Sequence, residues 1–345
     1  MANNMQYPLD ANIQLDKKNI QSINVENLPI SSEAIIALNL IKKTRILLWI
    51  AKNHKHMEML YQSLNTLKNS DQLVHLYKPY DNDPVEVAQH FQLVDKLSKN
   101  QSLIVISCDQ FLNHYLPSIN SIEQNLITLK VNSKIEQRKI IDWHLKNGFE
   151  NQVEVYSKGD IANRGAIFDC WPANSDYPVR IEFFDDDIES IRLFDSQTQC
   201  SLEKISSIQI PSLSSKNIGK TKLIDLLGSS YLIVNNPENN LKSLPIITDY
   251  EYYDLNLKIV SEDISPSKTE LDRKKLIINL CEKINIGYKI HFYFESLGSL
   301  NRFKEIYKTI DNFHKINLHN GIIFESAINE SKKIIIITES DFYNY

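Results

Sequence analysis

From Val25 to Asn125, continuous apolar runs alternate with stretches of helical spacing. Arg45–Ala51 (RILLWIA) is almost wholly apolar and bounded by charge, the pattern of a strand buried on both faces of a parallel sheet. Met57, Leu60, Tyr61, Leu64 and Leu67 then recur at helical intervals. Leu73–Tyr77 reads as a short strand, Val85–Leu97 as a helix and Leu103–Ser107 (LIVIS) as a second buried strand. This alternation predicts an α/β sheet with crossover connections.

The pattern changes at Leu126. Leu126–Val131 reads as a strand and Ser133–Asn147 as an amphipathic helix, with Ser133 at the N-cap, Glu136 three residues on and Gly148 after the last turn. Strands then dominate to Ile210, and Pro211 with the Ser/Lys-rich stretch 212–216 marks a boundary. Beyond it the α/β pattern returns. Tyr231–Val234, Lys289–Phe294 and Ile334–Thr338 read as strands, Lys274–Lys283 and Leu300–Phe313 as helices. The expected class is α/β: one sheet domain built from two chain segments (25–125 and 213–345), interrupted by a β-rich α+β domain (126–212). Residues 1–24, rich in Asn, Gln and Asp, read as a loosely ordered arm.

Composition narrows the functional classes. A formal net charge of -5 does not suggest a general nucleic-acid surface. The four cysteines stand far apart with no C-x-x-C pair, which argues against zinc or a disulfide framework and for reduced thiols. No apolar run approaches the roughly 20 residues of a membrane helix, and the polar N-terminus has no signal core. A cytoplasmic protein without a membrane role is expected. Glycine, at 8 in 345, is too scarce for phosphate-cradling loops to be expected.

The candidate chemistry is thin. Gly219-Lys220-Thr221 would need a glycine at position 214 to make a phosphate loop, and Ser214 stands there. The segment 27–33 (NLPISSE), where a nucleotide-binding sheet would carry its loop, has neither glycine nor a Lys-Ser/Thr pair. Glu339-Ser340-Asp341, at the end of a strand, reads as solvated carboxylates in a turn. Asp185-Asp186-Asp187 reads as a hairpin turn, without the ligand spacing of a calcium loop. His54 and His56 lack metal-site spacing. Tyr250, Tyr252 and Tyr253 alternate with acids that would repel phosphates, so packing is expected of them. No G-x-S-x-G elbow is present. Catalytic, cofactor and metal residues are therefore expected to be none.

One constellation remains. In Val179–Phe184, alternation puts Val179, Ile181 and Phe183 on a core face and Arg180, Glu182 and Phe184 on the other. Arg180 and Phe184 would lie about 13 Å apart along the strand. Arginine beside an exposed aromatic is a hot-spot composition. Arg164, before the turn residue Gly165, can be aimed at the same surface. In the alternative reading, Arg180 pairs with Glu182 or Glu189 across the hairpin and Phe184 caps a minor core. The pattern leaves both open.

These residues carry a resemblance. Arg164-Gly165-Ala166-Ile167-Phe168-Asp169, Tyr177-Pro178-Val179-Arg180-Ile181-Glu182-Phe183-Phe184-Asp185-Asp186 and Ile188-Glu189-Ser190-Ile191-Arg192-Leu193-Phe194-Asp195, with Thr198-Gln199, resemble the motif set shared by UvrB and the UvrB-homology module of transcription-repair coupling factors (Mfd). Pro79-Tyr80-Asp81 with Pro84, and 334–341, resemble the module's flanks more loosely. The lack of a phosphate loop, and of room near His75–Asp81 for UvrB's DNA-clamping hairpin, favours the coupling factor.

The resemblance implies a degenerate, ATP-free UvrB-like α/β fold, with 126–212 as the UvrA-binding domain. It implies an N-terminal portion of a longer protein. It implies UvrA docking through Arg164, Arg180 and Phe184, on a surface that the parent's C-terminal domain covers until polymerase is engaged. It further implies no cofactor in this portion, which is expected to be monomeric. RNA polymerase, DNA, ATP and Mg would belong to C-terminal domains of the parent, an ATP-dependent DNA translocase that brings excision repair to stalled polymerase. The rival readings are a UvrB-like nucleotide-dependent helicase fragment acting on damaged DNA, and a DNA-binding module using the outer α/β domain.

Overall fold

The computed structural model describes residues 22–25, 28–79, 83–99, 101–214, 221–228, 231–235, 257–259, 269–330 and 332–343. Residues 1–21 of the arm, Tyr80-Asp81, Gly219-Lys220 and Tyr250, Tyr252 and Tyr253 lie outside them, whereas Ser22–Asn24, expected to belong to the loose arm, form a strand. The chain divides into an outer unit (1–77, 102–110, 228–345) and a middle unit (78–101, 111–227).

The outer unit holds two five-stranded sheets. The first is parallel, in the order β1 (Ser22–Asn24), β15 (Tyr231–Asn235), β2 (Ile46–Ala51), β4 (Leu103–Cys108), β3 (Leu73–Leu76). Every residue of β2 and β4 is buried, which is why both read as unbroken apolar runs. β15 comes from beyond the middle unit and inserts between β1 and β2, so two chain segments build this sheet. Helices α1 (Ile30–Leu40) and α2 (His54–Leu67) pack on each other, and Asn53 caps α2 by accepting from the His56 N–H.

The second sheet runs β16 (Leu257–Ile259), β19 (Ala327–Asn329), β20 (Ile334–Thr338), β17 (Lys289–Phe294), β18 (Asn317–Asn320). It packs with α7 (Glu270–Asn285), α8 (Leu297–Tyr307) and the short α9 (Glu339–Tyr343). Its core is aromatic: Phe292, Phe294, Phe303 and Phe342 are buried, with ring centroids 4.8–5.7 Å apart where they touch. Each such ring contributes roughly 1.5–3 kcal/mol by leaving water. The outer unit thus holds two sheets where the pattern suggested one. Strand runs show which residues are buried, not which strand they pair with.

The middle unit is built on a six-stranded sheet in the order β12 (Ser201–Ile205), β11 (Asp187–Phe194), β10 (Val179–Phe184), β9 (Ile167–Cys170), β8 (Asp160–Arg164), β7 (Glu150–Asn151). Two small pairs accompany it: β6 (Leu126–Lys130) with β13 (Ser207–Pro211), and β5 (Tyr115–Leu116) with β14 (Thr221–Lys222). Helices α3 (Pro84–Ser98), α4 (Ile122–Asn125), α5 (Gln137–Lys146) and α6 (Leu223–Leu226) complete it. Phe168, Val179, Ile181, Phe183 and Ile188 from one sheet face join Ile140 of α5 and Ala88 of α3 in its core.

Helix α5 begins three residues later than the capping pattern predicts. Ser133 Oγ donates to Lys130 O and caps no helix, and Glu136 is the N-cap residue, its side chain accepting from Lys139 Nζ rather than from a backbone N–H of the first turn. The reason is tertiary. Residues 132–135 bond instead to the β10–β11 hairpin, with Asn132 N donating to Ile188 O, Ile188 N to Ser133 O and Ile135 N to Asp186 O. A helical start at Ser133 would forfeit those bonds. The C-terminal prediction holds: Gly148 follows the helix at φ 89°, a left-handed position suited to glycine.

Candidate protein-docking face of the middle sheet

The β8–β9 hairpin turns at Gly165-Ala166, with Gly165 at φ 63°. A side chain there would meet nothing within 4 Å, so the demand for glycine is the backbone's alone. In register, Ala162 on β8, Asp169 on β9, Arg180 on β10 and Arg192 on β11 stand side by side and share the outer face. Arg164, two residues beyond Ala162, points the same way.

Asp169 joins the two predicted arginines. Its Oδ1 accepts from Arg180 Nε at 2.8 Å; its Oδ2 accepts from Arg180 Nη2 at 2.9 Å and Arg164 Nη2 at 2.7 Å. The Asp169 side chain is 1% exposed, so the charge-assisted bonds form in a partly desolvated place where they are strong. They hold the Arg180 guanidinium above its ordinary pKa, against the opposing effect of burial. The guanidinium also donates to Gln199 Oε1 at 2.9 Å and lies 4.4 Å from the centroid of buried Phe194, a cation–π contact. Gln199 belongs to a turn that Asp195 organises, accepting from Gln197 N, Thr198 N and Thr198 Oγ1. The Thr198 bonds hold the Asp195 carboxyl below the usual carboxylate range.

Phe184 ends β10 on the same face and is 75% exposed. The turn after it, Asp185-Asp186 with Asp185 at φ 56°, is the hairpin predicted for the acidic run. The bonds from residues 132–135 brace this tip, so the ring is presented on fixed backbone. Neither part of the alternative reading holds. Arg180 pairs with Asp169 rather than Glu182 or Glu189, and Phe184 caps no core. Arg192 takes Glu182 instead, while Ser190 Oγ donates to Glu182 Oε2 at 2.7 Å.

The sequence pattern missed Asp169 as a member of this face, along with Gln199, Glu154 and Tyr156. A lone carboxylate in the apolar run Ile167–Cys170 was the available signal for Asp169. Glu154 and Tyr156 come from an irregular loop, where alternation gives no direction. Glu154 Oε1 lies 3.6 Å from Arg164 Nη1, and Tyr156 Oη donates to Glu154 Oε2 at 2.7 Å.

The other candidates resolve as structure. Helix α1 starts in the segment where a nucleotide loop was sought, at the carboxyl end of a parallel sheet. Its first N–H groups point at protein: Ile30 N donates to Glu325 Oε2 at 2.8 Å and Ser31 N to Phe324 O at 3.0 Å. Glu33 of that helix is 0% exposed, with its Oε2 accepting from Trp49 Nε1 at 3.2 Å and 3.2 Å from His56 Nε2. His54 lies apart, facing Glu58 at 3.4 Å. Glu339 and Asp341 are not solvated carboxylates in a turn. They lie in α9, where Glu339 is buried and accepts from Glu295 N, and Asp341 accepts from Ser326 N. Among the described residues, no three His, Cys, Asp or Glu side chains gather as a metal site, and no helix is long and apolar enough to cross a membrane.

Residues 127–215 match the family described as the UvrB interaction domain. The chain is similar to the transcription-repair-coupling factor of Bacillus subtilis, 31% identical over 123 residues, which are 36% of this chain and 10% of that protein. It is similar to that of Haemophilus influenzae, 46% identical over 63 residues (18% and 6%), and of Staphylococcus haemolyticus, 28% identical over 204 residues (56% and 17%). The matched segments thus span a small part of those relatives. The middle segment is thus similar to the UvrB interaction domain, and the chain that holds it is similar to the transcription-repair-coupling factors.

Proposed function

We propose that this chain is a non-catalytic, UvrB-like docking module that binds UvrA through the outer face of its middle sheet, with Arg164, Arg180 and Phe184 as the central contacts. In the longer protein it would bring excision repair to stalled RNA polymerase in the cytoplasm. Polymerase, DNA, ATP and Mg would be engaged by other domains of that protein, and this module would work as a monomer without a cofactor.

The observation that carries the reading is the arrangement of the face. A phenylalanine left almost wholly in water stands on a braced hairpin, beside arginines oriented by one buried carboxylate. A fold gains nothing in stability from such a ring, whereas a partner gains a desolvated anchor. The carboxylate-capped start of α1 supports a module that needs no nucleotide.

Titration calorimetry of the chain with UvrA, with and without ATP, tests this. Phe184→Ala should lose about 2 kcal/mol or more of binding, with little change in stability. Arg180→Ala should lose as much, with some stability besides, because it strips two bonds from Asp169. Arg164→Ala should also weaken binding. Unchanged affinity for all three variants would sink the assignment.

A further inference from the structure

The two arginines do not share Asp169 equally. The Arg180 side chain is 15% exposed, and its fork is engaged by Asp169 and Gln199. It is built into the sheet. Arg164 commits Nη2 to Asp169, and its side chain stays 42% exposed. Its Nη1 faces Glu154 at 3.6 Å, an ion-pair distance too long for a hydrogen bond. That end of Arg164 is charged, oriented and incompletely satisfied.

The loop that carries Glu154 is firmly placed. Val155 is buried, and Asp160 Oδ2 accepts from Tyr156 N, Ser157 N and Ser157 Oγ at 2.8–3.1 Å. The Tyr156 hydroxyl holds the other Glu154 oxygen. The Tyr156 ring and Val153 stand exposed at the rim. Glu154 is thus held close to Arg164 without closing a bidentate pair, which is the geometry a guanidinium and carboxylate favour when both are free to arrange themselves.

We propose that Glu154 is an internal placeholder for a carboxylate of the partner. On docking, an aspartate or glutamate of the partner takes the exposed end of Arg164 and Glu154 gives way, while the Tyr156 ring lies against the partner's surface. Glu154 then sets specificity: a partner without a carboxylate at that point does not displace it. This rests on the reading that the face binds UvrA, and it assigns that partner's complementary chemistry.

The test is the affinity of Glu154→Gln for UvrA. An exposed pair of this kind has a modest strength, so the variant should bind about 2- to 5-fold more tightly than wild type. The gain should vanish in an Arg164→Ala background. Glu203→Gln, on the opposite face of the same sheet, controls for the change in net charge and should leave affinity as it is. Melting temperatures should match, since Glu154 is a surface residue. Weaker or unchanged binding by Glu154→Gln overturns the inference, as does a gain that persists without Arg164 or one that Glu203→Gln reproduces. Absence of binding by the wild-type chain overturns the docking reading itself, and this inference with it.

Discussion

The start of helix α1 and the outer face of the middle sheet both present polar groups that a ligand could use, and the chain treats them in opposite ways. At α1 the N–H groups of Ile30 and Ser31, which the helix itself leaves unbonded, are taken by Glu325 and Phe324, and the neighbouring Glu33 is enclosed with Trp49 and His56. On the middle sheet one buried carboxylate orients two arginines, and the ring beside them stays in water. A carboxylate supplied from within closes the first site. In the second, Asp169 lies beneath the arginines and leaves one of them facing outward. The same charge pairing makes structure in one place and a surface in the other, according to which partner is buried.

Removing Asp169 should have the largest effect on this contrast. Asp169→Ala leaves two arginines without their shared acceptor and should destabilise the middle unit by about 3 kcal/mol. Urea unfolding in a Trp49→Phe background measures this, because Trp143 and Trp171 then report the middle unit alone. A loss under about 1 kcal/mol would show that the carboxylate is dispensable for the fold.

Acid probes the same unit from beneath the sheet. His144 is fully buried against Phe149 and Phe168, with Nδ1 bonded to Ile140 O. Burial pushes its pKa down to about 4. The unfolded chain, with an ordinary histidine near 6.5, binds a proton between these values while the folded chain does not. Stability is therefore full above pH 6.5 and falls as pH drops toward 4, by about 1.4 kcal/mol per unit. Unfolding at pH 7 and pH 5 should differ by about 2 kcal/mol more in wild type than in His144→Leu. Equal slopes for the two proteins would contradict it.

The smallest effect is expected at the closed site. Glu325→Gln weakens the cap on α1 and should cost about 1 kcal/mol, read as a lower melting temperature. UvrA affinity should not change. A loss of affinity in this variant would break the contrast, since it would tie the closed site to the open face.

Much of the strand layout was legible in the sequence. β17 and β20 fall where the pattern predicts, and every residue of β20 is buried, as its unbroken apolar run requires. Strand alternation also placed Arg180 and Phe184 on one face correctly. It could not name the partner of Arg180. Alternation pointed within the β10–β11 hairpin, whereas the register with β9 puts Asp169 opposite. The predicted cap at Ser133 failed for a related reason. Local rules favoured a helix start there, and bonds to a hairpin some 50 residues away prevailed.

By itself the sequence determined which apolar runs are buried, which residues share a strand face, and the absence of a phosphate-loop pattern, since these follow from side-chain chemistry and a period of two or 3.6. Tertiary structure decided the pairings. Asp169 could gather Arg164 and Arg180 only once three strands lay in register, and Glu325 could cap α1 only once residues 295 positions apart were brought together. Hydrogen bonds and ion pairs act over a few ångströms, and separation along the chain does not encode which groups meet at that range.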